Sequence, residues 1–145
     1  MIKERVGNLS EQARRVLKRK EWFVDPGIVD RARLFVLPFC PRFLSQRRSA
    51  ITLGHIIILT KNYKPGTVEG LALLAHELKH VEQYKIWGIF RFLWRYLVEW
   101  LKVGYDLDRH PYEKEAYAFQ RRVKKRLKEE WAQKQKRAAL STSSH

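Results

Sequence analysis

The sequence predicts an α+β fold: a small antiparallel sheet of about three strands packed on a metal-bearing helix, with two further helices following. Three observations predict it. Residues 31–37 and 50–60 are strand-length runs rich in β-branched and aliphatic side chains, bounded by Pro, Gly and Asn. Residues 67–88 carry helical periodicity between Thr67 and Gly88 and enclose the spacing His76-Glu77-Leu-Lys-His80. Residues 89–103 and 111–137 then repeat apolar side chains every three or four positions.

A chain of 145 residues is most simply one domain with a single core. The expected division is a basic N-terminal helical segment at 1–24, one domain at 25–137 and a disordered tail at 138–145. Apolar side chains make up 45% of the residues and five are Trp, which excludes a disordered chain. The single cysteine, Cys40, excludes an internal disulfide and a Cys-rich zinc ribbon. Between Phe39 and Pro41 it reads as a packed small hydrophobe. Met-Ile-Lys-Glu-Arg-Val-Gly at the start has no apolar run, so no secretory signal is expected. The expected location is the cytoplasm, or outside the cell by a route that does not use such a signal.

In chain order, residues 10–20 read as a short basic helix with Ser10 as its cap. Asp25-Pro26-Gly27 interrupts the pattern. Arg31 to Leu37 alternates, with Ala32, Leu34 and Val36 on one side, as a half-buried strand does. Pro38, Pro41 and Gln46-Arg47-Arg48 make a loop. Ala50 to Thr60 reads as a hairpin turning near Leu53-Gly54. Its second arm is almost wholly apolar, which suits a strand covered on both faces or one that serves as a docking edge. After the loop Lys61 to Gly66, Thr67 caps the central helix, Glu69 suits its electropositive first turn and Gly88 ends it. On the helical wheel Leu71, Leu74, Ala75, Leu78 and Val81 make one seam. His76 and His80 lie roughly opposite, with Leu73 between them in angle.

Ile89 to Val103 is intensely apolar, and its charges, Arg91, Arg95, Glu99 and Lys102, make one narrow stripe. Four charges in so short a run argue against a transmembrane span. Three readings follow: a nearly buried helix, an oligomer face, or a helix lying on a membrane surface. Pro111 suits the first turn of a last long helix, whose stripe runs Tyr112, Ala116, Phe119, Val123, Leu127 and Trp131.

The formal net charge is +15. Arg121 to Arg137 holds nine basic residues against Glu129 and Glu130, and Arg14 to Lys20 holds five with no acid. Such an excess either solvates helix faces or attracts nucleic acid, an acidic membrane surface or an acidic protein. No aromatic-studded nucleic-acid recognition motif accompanies it.

Residues four apart on a helix share a face, so the imidazoles of His76 and His80 can reach one ion. Glu77, about 100° round the wheel, lies beside that ion rather than on it. Catalytic zinc takes three protein ligands plus water. The third is expected from Glu113 or Glu115, which flank the apolar stripe of the last helix at nearly equal angles, so periodicity does not choose. His55 and His110 are outside candidates. His110 is also read as a donor to a reaction oxyanion, with Tyr105, Tyr112 and Tyr117 behind it. With three ligands in place, the ion lowers the pKa of its bound water to about 7 and polarises a substrate carbonyl. Glu77 serves as general base and passes the proton to the leaving amine. A peptide or protein substrate is expected to add as a strand along an exposed hairpin edge at His55, Ile56, Ile57 and Ile58.

Leu73 to Lys85, preceded by Ala50 to Leu59, resembles a widespread family of small metallopeptidase-like domains. The family is best known as the core domain of effectors linked to extracellular contractile injection systems. The likeness runs over roughly residues 30 to 120 and takes in His110-Pro-Tyr-Glu-Lys-Glu-Ala-Tyr117. That family sits with the gluzincins, the His-Glu-x-x-His zincins whose third ligand is a glutamate. The resemblance therefore implies a minimal zincin-like fold, bound zinc and peptidase chemistry, and names no substrate. In several gluzincin families the ligand glutamate is followed by Ala three residues on and by Asp or Asn four on. Laid on this chain, that pattern makes Glu113 the ligand, with Ala116 in place. A different gluzincin pattern, with Ala directly after the ligand, makes it Glu115. Tyr117 stands where the carboxylate or amide is usual, so the partner of one histidine is missing or comes from elsewhere.

Three functions are carried forward. The first is a zinc metallopeptidase using His76, His80, Glu113 and Glu77. The second is a weakly active or inactive zinc-binding module that docks on nucleic acid, an anionic surface or a protein through its basic and aromatic helices. The third is an interaction module that docks through 89–103.

Overall fold

The computed structural model describes residues 6–37, 50–60, 63–104 and 109–143. Cys40 with the loop around it, Lys61, Asn62 and Tyr105 lie outside the described residues. The fold is α+β. Its elements are β1 (Val6–Asn8), α1 (Glu11–Leu17), α2 (Ile28–Arg31), β2 (Arg33–Val36), β3 (Ala50–Leu53), β4 (Ile56–Leu59), α3 (Val68–Trp87), α4 (Ile89–Lys102) and α5 (Pro111–Ser143).

The expected hairpin is β3 and β4, joined through Gly54 and His55. The sheet differs from the expectation in two ways. It has a fourth strand, β1, which pairs antiparallel with β2, and β2 runs parallel to β4, so the sheet is mixed. The strand order is β1-β2-β4-β3. This order corrects the expected docking edge. The backbone of Ile56, Ile57 and Ile58 is engaged by β2 on one side and β3 on the other, while His55 sits exposed in the turn. An almost wholly apolar strand is what an interior position in a sheet demands. Among the described residues, β3 is the edge beside α3.

The central helix is α3, and sequence dictates both its ends. The Thr67 hydroxyl accepts from the Gly70 amide at 3.0 Å and donates to the Lys64 carbonyl at 2.8 Å. Gly70 is required by this close approach: a Cβ there would stand 1.9 Å from the Lys64 carbonyl oxygen. At the other end Gly88 takes φ +80°, which stops α3 and lets α4 leave in a new direction. The seam Leu71, Leu74, Ala75, Leu78 and Val81 is buried, and Phe119, Val123 and Leu127 of α5 join it in one core with Ile57 and Leu59 of the sheet.

That core also holds Leu9, Ala13, Leu17 and Phe23. Residues 6–24 are thus built into the domain, where a separate basic segment was expected. Three of its cations are paired: Arg15 with Glu11, Lys18 with Asp30, and Arg19 with Glu130 of α5, the last by two hydrogen bonds of 2.9 and 2.8 Å. The other end also departs from expectation. Helix α5 continues through Ser143, because Ala138, Ala139 and Leu140 are strong helix formers with no Gly or Pro among them. Helix α4 is not nearly buried: Phe92 is its one fully buried side chain, and Phe90, Trp94 and Leu101 face solvent. Among the described residues no helix is long and apolar enough to cross a membrane.

Candidate metal centre

His76 and His80 stand on one face of α3, turned away from the core seam, and α5 lies against that helix with Glu113 in its first turn. His76 Nε2 is 3.2 Å from Glu113 Oε2, and His80 Nε2 is 3.2 Å from Glu113 Oε1. All three side chains are buried, and their ligand atoms lie within 4.8 Å of one another. Glu77 Oε1 is 3.9 Å from His76 Nε2, beside the cluster as its place on the wheel requires. Glu115 does not join it. That carboxylate is half exposed and faces Lys79 at 3.9 Å.

The donors are held from behind. Gln83 Oε1 accepts from His80 Nδ1 at 2.8 Å, and the Gln83 amide donates to the Tyr112 carbonyl. A proton on Nδ1 leaves the Nε2 lone pair of a neutral His80 directed at the centre. The Tyr96 hydroxyl of α4 donates to Glu113 Oε1 at 2.8 Å. Thr52 on β3 donates to Glu77 Oε2 at 2.6 Å. Thr52, Gln83 and Tyr96 were not singled out from the sequence. Gln83 carried a signal, since it lies three residues after His80 and so on the same side of the helix. Thr52 is the one polar residue in β3.

The charges of this cluster are strongly coupled. Burial works to lower the His80 pKa, but the hydrogen bond and charge of Glu113 outweigh it and raise it to about 9, with Glu77 and Gln83 adding to the effect. Burial also works against the Glu113 carboxylate, yet hydrogen bonds from His76 and His80 hold it well below the usual carboxylate range. Without an ion, His80 is therefore an imidazolium paired to Glu113 at neutral pH.

Two imidazole nitrogens and a carboxylate are the donor set of a catalytic zinc site, and the preset His80 Nδ1 hydrogen bond fits that use. The other imidazole is less well supported: His76 Nδ1 is buried with no hydrogen-bond partner among the described residues. Tyr117, in the place where an amide or carboxylate was expected, packs its ring edge-on against His76 with centroids 4.5 Å apart.

The cluster forms the floor of a cleft of about 280 Å³. One wall is β3, from Ala50 to Leu53; the other is α4, with Phe92, Leu93, Tyr96 and Leu97. His110 is not in it, which corrects the expected oxyanion role. It is the residue that opens α5: its carbonyl accepts from Lys114, its Nδ1 from the Tyr112 amide, and its Nε2 donates to the Tyr96 carbonyl at 2.8 Å. Both ring nitrogens are engaged: Nδ1 closes the first turn of α5, and Nε2 ties α5 to α4. Tyr112 packs on Phe92 with ring centroids 5.1 Å apart, and Tyr117 lines the cleft.

A family model described as the eCIS core domain matches residues 45–88, which take in β3, β4 and α3 with both histidines and end before Glu113. No curated protein and no solved structure matches the chain.

Proposed function

We propose that this chain is a zinc metallopeptidase, with His76, His80 and Glu113 as the zinc ligands and Glu77 as general base. The observation that carries the reading is the convergence of two Nε2 atoms on the two oxygens of one buried carboxylate, 3.2 Å each, with a second carboxylate, Glu77, alongside at the base of an open cleft. Zinc bound there would supply Lewis acidity, which makes water more acidic and polarises a carbonyl. Glu77 holds the proton taken from the attacking water at Oε1, the oxygen on the His76 side, while Thr52 fixes Oε2. Proton return to the leaving amine falls to the same carboxyl group. The edge strand β3 offers backbone groups beside Thr52 for an extended peptide, in place of the strand expected from the sequence. The match to the eCIS core domain spans His76, Glu77 and His80 and is consistent with a metal-binding module there.

The test is metal analysis and peptide cleavage on wild type beside Glu77→Gln. The expected result is one zinc per chain in both and cleavage only in the wild type. Equal cleavage by the variant removes Glu77 from the chemistry.

One observation favours a second reading, a zinc-binding module without hydrolysis. His76 Nδ1 lacks the hydrogen bond that orients a ligand imidazole, and an aromatic ring stands against it. Bound zinc with no cleavage of an unstructured protein substrate by the wild type would select this reading.

A further inference from the structure

We infer that the exposed face of α4, which rims the mouth of the metal cleft, docks on an anionic phospholipid bilayer. The helix has two unlike sides. Inward, Phe92 packs on Tyr84 with ring centroids 4.4 Å apart, and Tyr96 bonds Glu113. Outward, Phe90, Trp94, Leu97 and Leu101 follow at intervals of four, three and four residues and so form one stripe along the axis. Phe90 is 88% exposed, Trp94 69% and Leu101 63%. Ile89 carries the stripe to the hairpin turn, where its Cδ1 packs over Gly54, and half-exposed Leu53 carries it onto β3. Leu53 and Leu97 belong both to this patch and to the cleft wall.

The charges select the partner. Arg91, Arg95 and Lys102 lie together roughly 100 to 140° round the helix from Phe90, along one flank of the stripe. The Arg95 guanidinium rests on the Trp87 ring, 4.1 Å from its centroid, which holds the charge beside the apolar surface. Glu99, the one acid of α4, faces Lys102 at 3.6 Å. An apolar stripe with Phe and Trp suits the acyl boundary, and cations beside it suit the phosphate layer. The net charge of +15 adds attraction at longer range. A second copy of the chain would set these cations against their own kind. Nucleic acid has phosphates but no apolar layer for Ile89, Leu97 and Leu101. Docked this way, the molecule opens its cleft at the bilayer surface. The docking does not depend on the peptidase reading.

The experiment is sedimentation of the full chain with vesicles of phosphatidylcholine holding roughly a third phosphatidylserine, and with pure phosphatidylcholine vesicles, at physiological salt. The expected result is binding to the anionic vesicles only. Phe90→Ser with Trp94→Ser should weaken it about tenfold or more, and so should Arg91→Glu with Arg95→Glu. All four positions are exposed, so unchanged circular dichroism is expected in both variants. Lys134→Glu with Lys136→Glu on the far end of α5 should leave binding within about twofold. Wild-type binding by both α4 variants, equal binding to neutral vesicles, or weakening by the α5 variant alone would each overturn the proposal. So would a wild-type dimer in light scattering that Phe90→Ser with Trp94→Ser dissociates, since a second copy would then own the stripe.

Discussion

The Thr52 hydroxyl on the edge strand donates to Glu77 Oε2 at 2.6 Å, and so couples the strand that walls the cleft to the carboxylate beside the histidines. In a buried site a carboxylate that keeps one oxygen bonded has its other oxygen aimed. Thr52→Val should keep the zinc and lower turnover by about tenfold or more, while Thr52→Ser restores it. Steady-state kinetics on a peptide substrate, with metal content measured on the same samples, checks this. Full activity in Thr52→Val would show that Glu77 is aimed without it.

The two glutamates of α5 should separate cleanly. Glu113→Ala and His80→Ala should each lose zinc, with affinity down by about a hundredfold or more, and Glu115→Ala should retain it. Metal analysis after dialysis against a weak chelator reads all three. Zinc lost from Glu115→Ala alone would move the third ligand.

With the proposed ligand set, Gln83 reaches the metal site only through its hydrogen bond from His80. Gln83→Ala should weaken zinc by about 10- to 100-fold, and Gln83→Glu, which still accepts from Nδ1, should stay near wild type. Competition with a chromogenic chelator measures both. Equal loss in the two variants would mean that the side chain packs rather than orients.

The metal-free protein should be pH-sensitive in a stated direction. His80 has its folded pKa raised from 6.5 to about 9, so its stabilising pair with Glu113 is complete below about pH 6.5 and is lost as pH rises through about 9. Glu113 is depressed, so its share is present above its ordinary value of 4.5 and is lost on further acidification. Thermal melts in chelator should therefore decline between about pH 6.5 and 9, by on the order of 3 kcal/mol, and His80→Gln should flatten that decline. Zinc binding requires the proton to leave, so zinc added near pH 7 in weak buffer should release about one proton per chain. No release would mean that His80 is already neutral.

The parts of the site that lie close in sequence were legible and the parts that depend on packing were not. His76, Glu77 and His80 share one helix, so spacing alone sets their relation, and the seam of Leu71 to Val81 follows from the same wheel. Thr67 and Gly88 bound that helix by local chemistry. The choice of Glu113 over Glu115 depends on how α5 rolls against α3, which angles about its own stripe do not determine. A β-branched apolar run after a turn shows that Ile56 to Leu59 is a strand, but not that β2 joins it on the free side. β1 is too short for any periodicity. His110, just before the last helix, reads as chemistry from sequence; its Nδ1 is spent on the Tyr112 amide two residues on, and its Nε2 on the Tyr96 carbonyl, which only the packing of α4 on α5 brings within reach.

Helix α5 leaves the domain after Trp131, and every side chain from Ala132 to Thr142 is exposed, a length of about 17 Å. No residue of those three turns belongs to the buried core, and a helix of that length is marginal by itself. Melting of this molecule is therefore two processes. Warming unwinds these exposed turns gradually, at little enthalpy, while the packed part up to Trp131 gives way in one cooperative step. Far-ultraviolet circular dichroism records the sum of both, whereas tryptophan emission records the second alone, so a single melting temperature describes only what the indoles see.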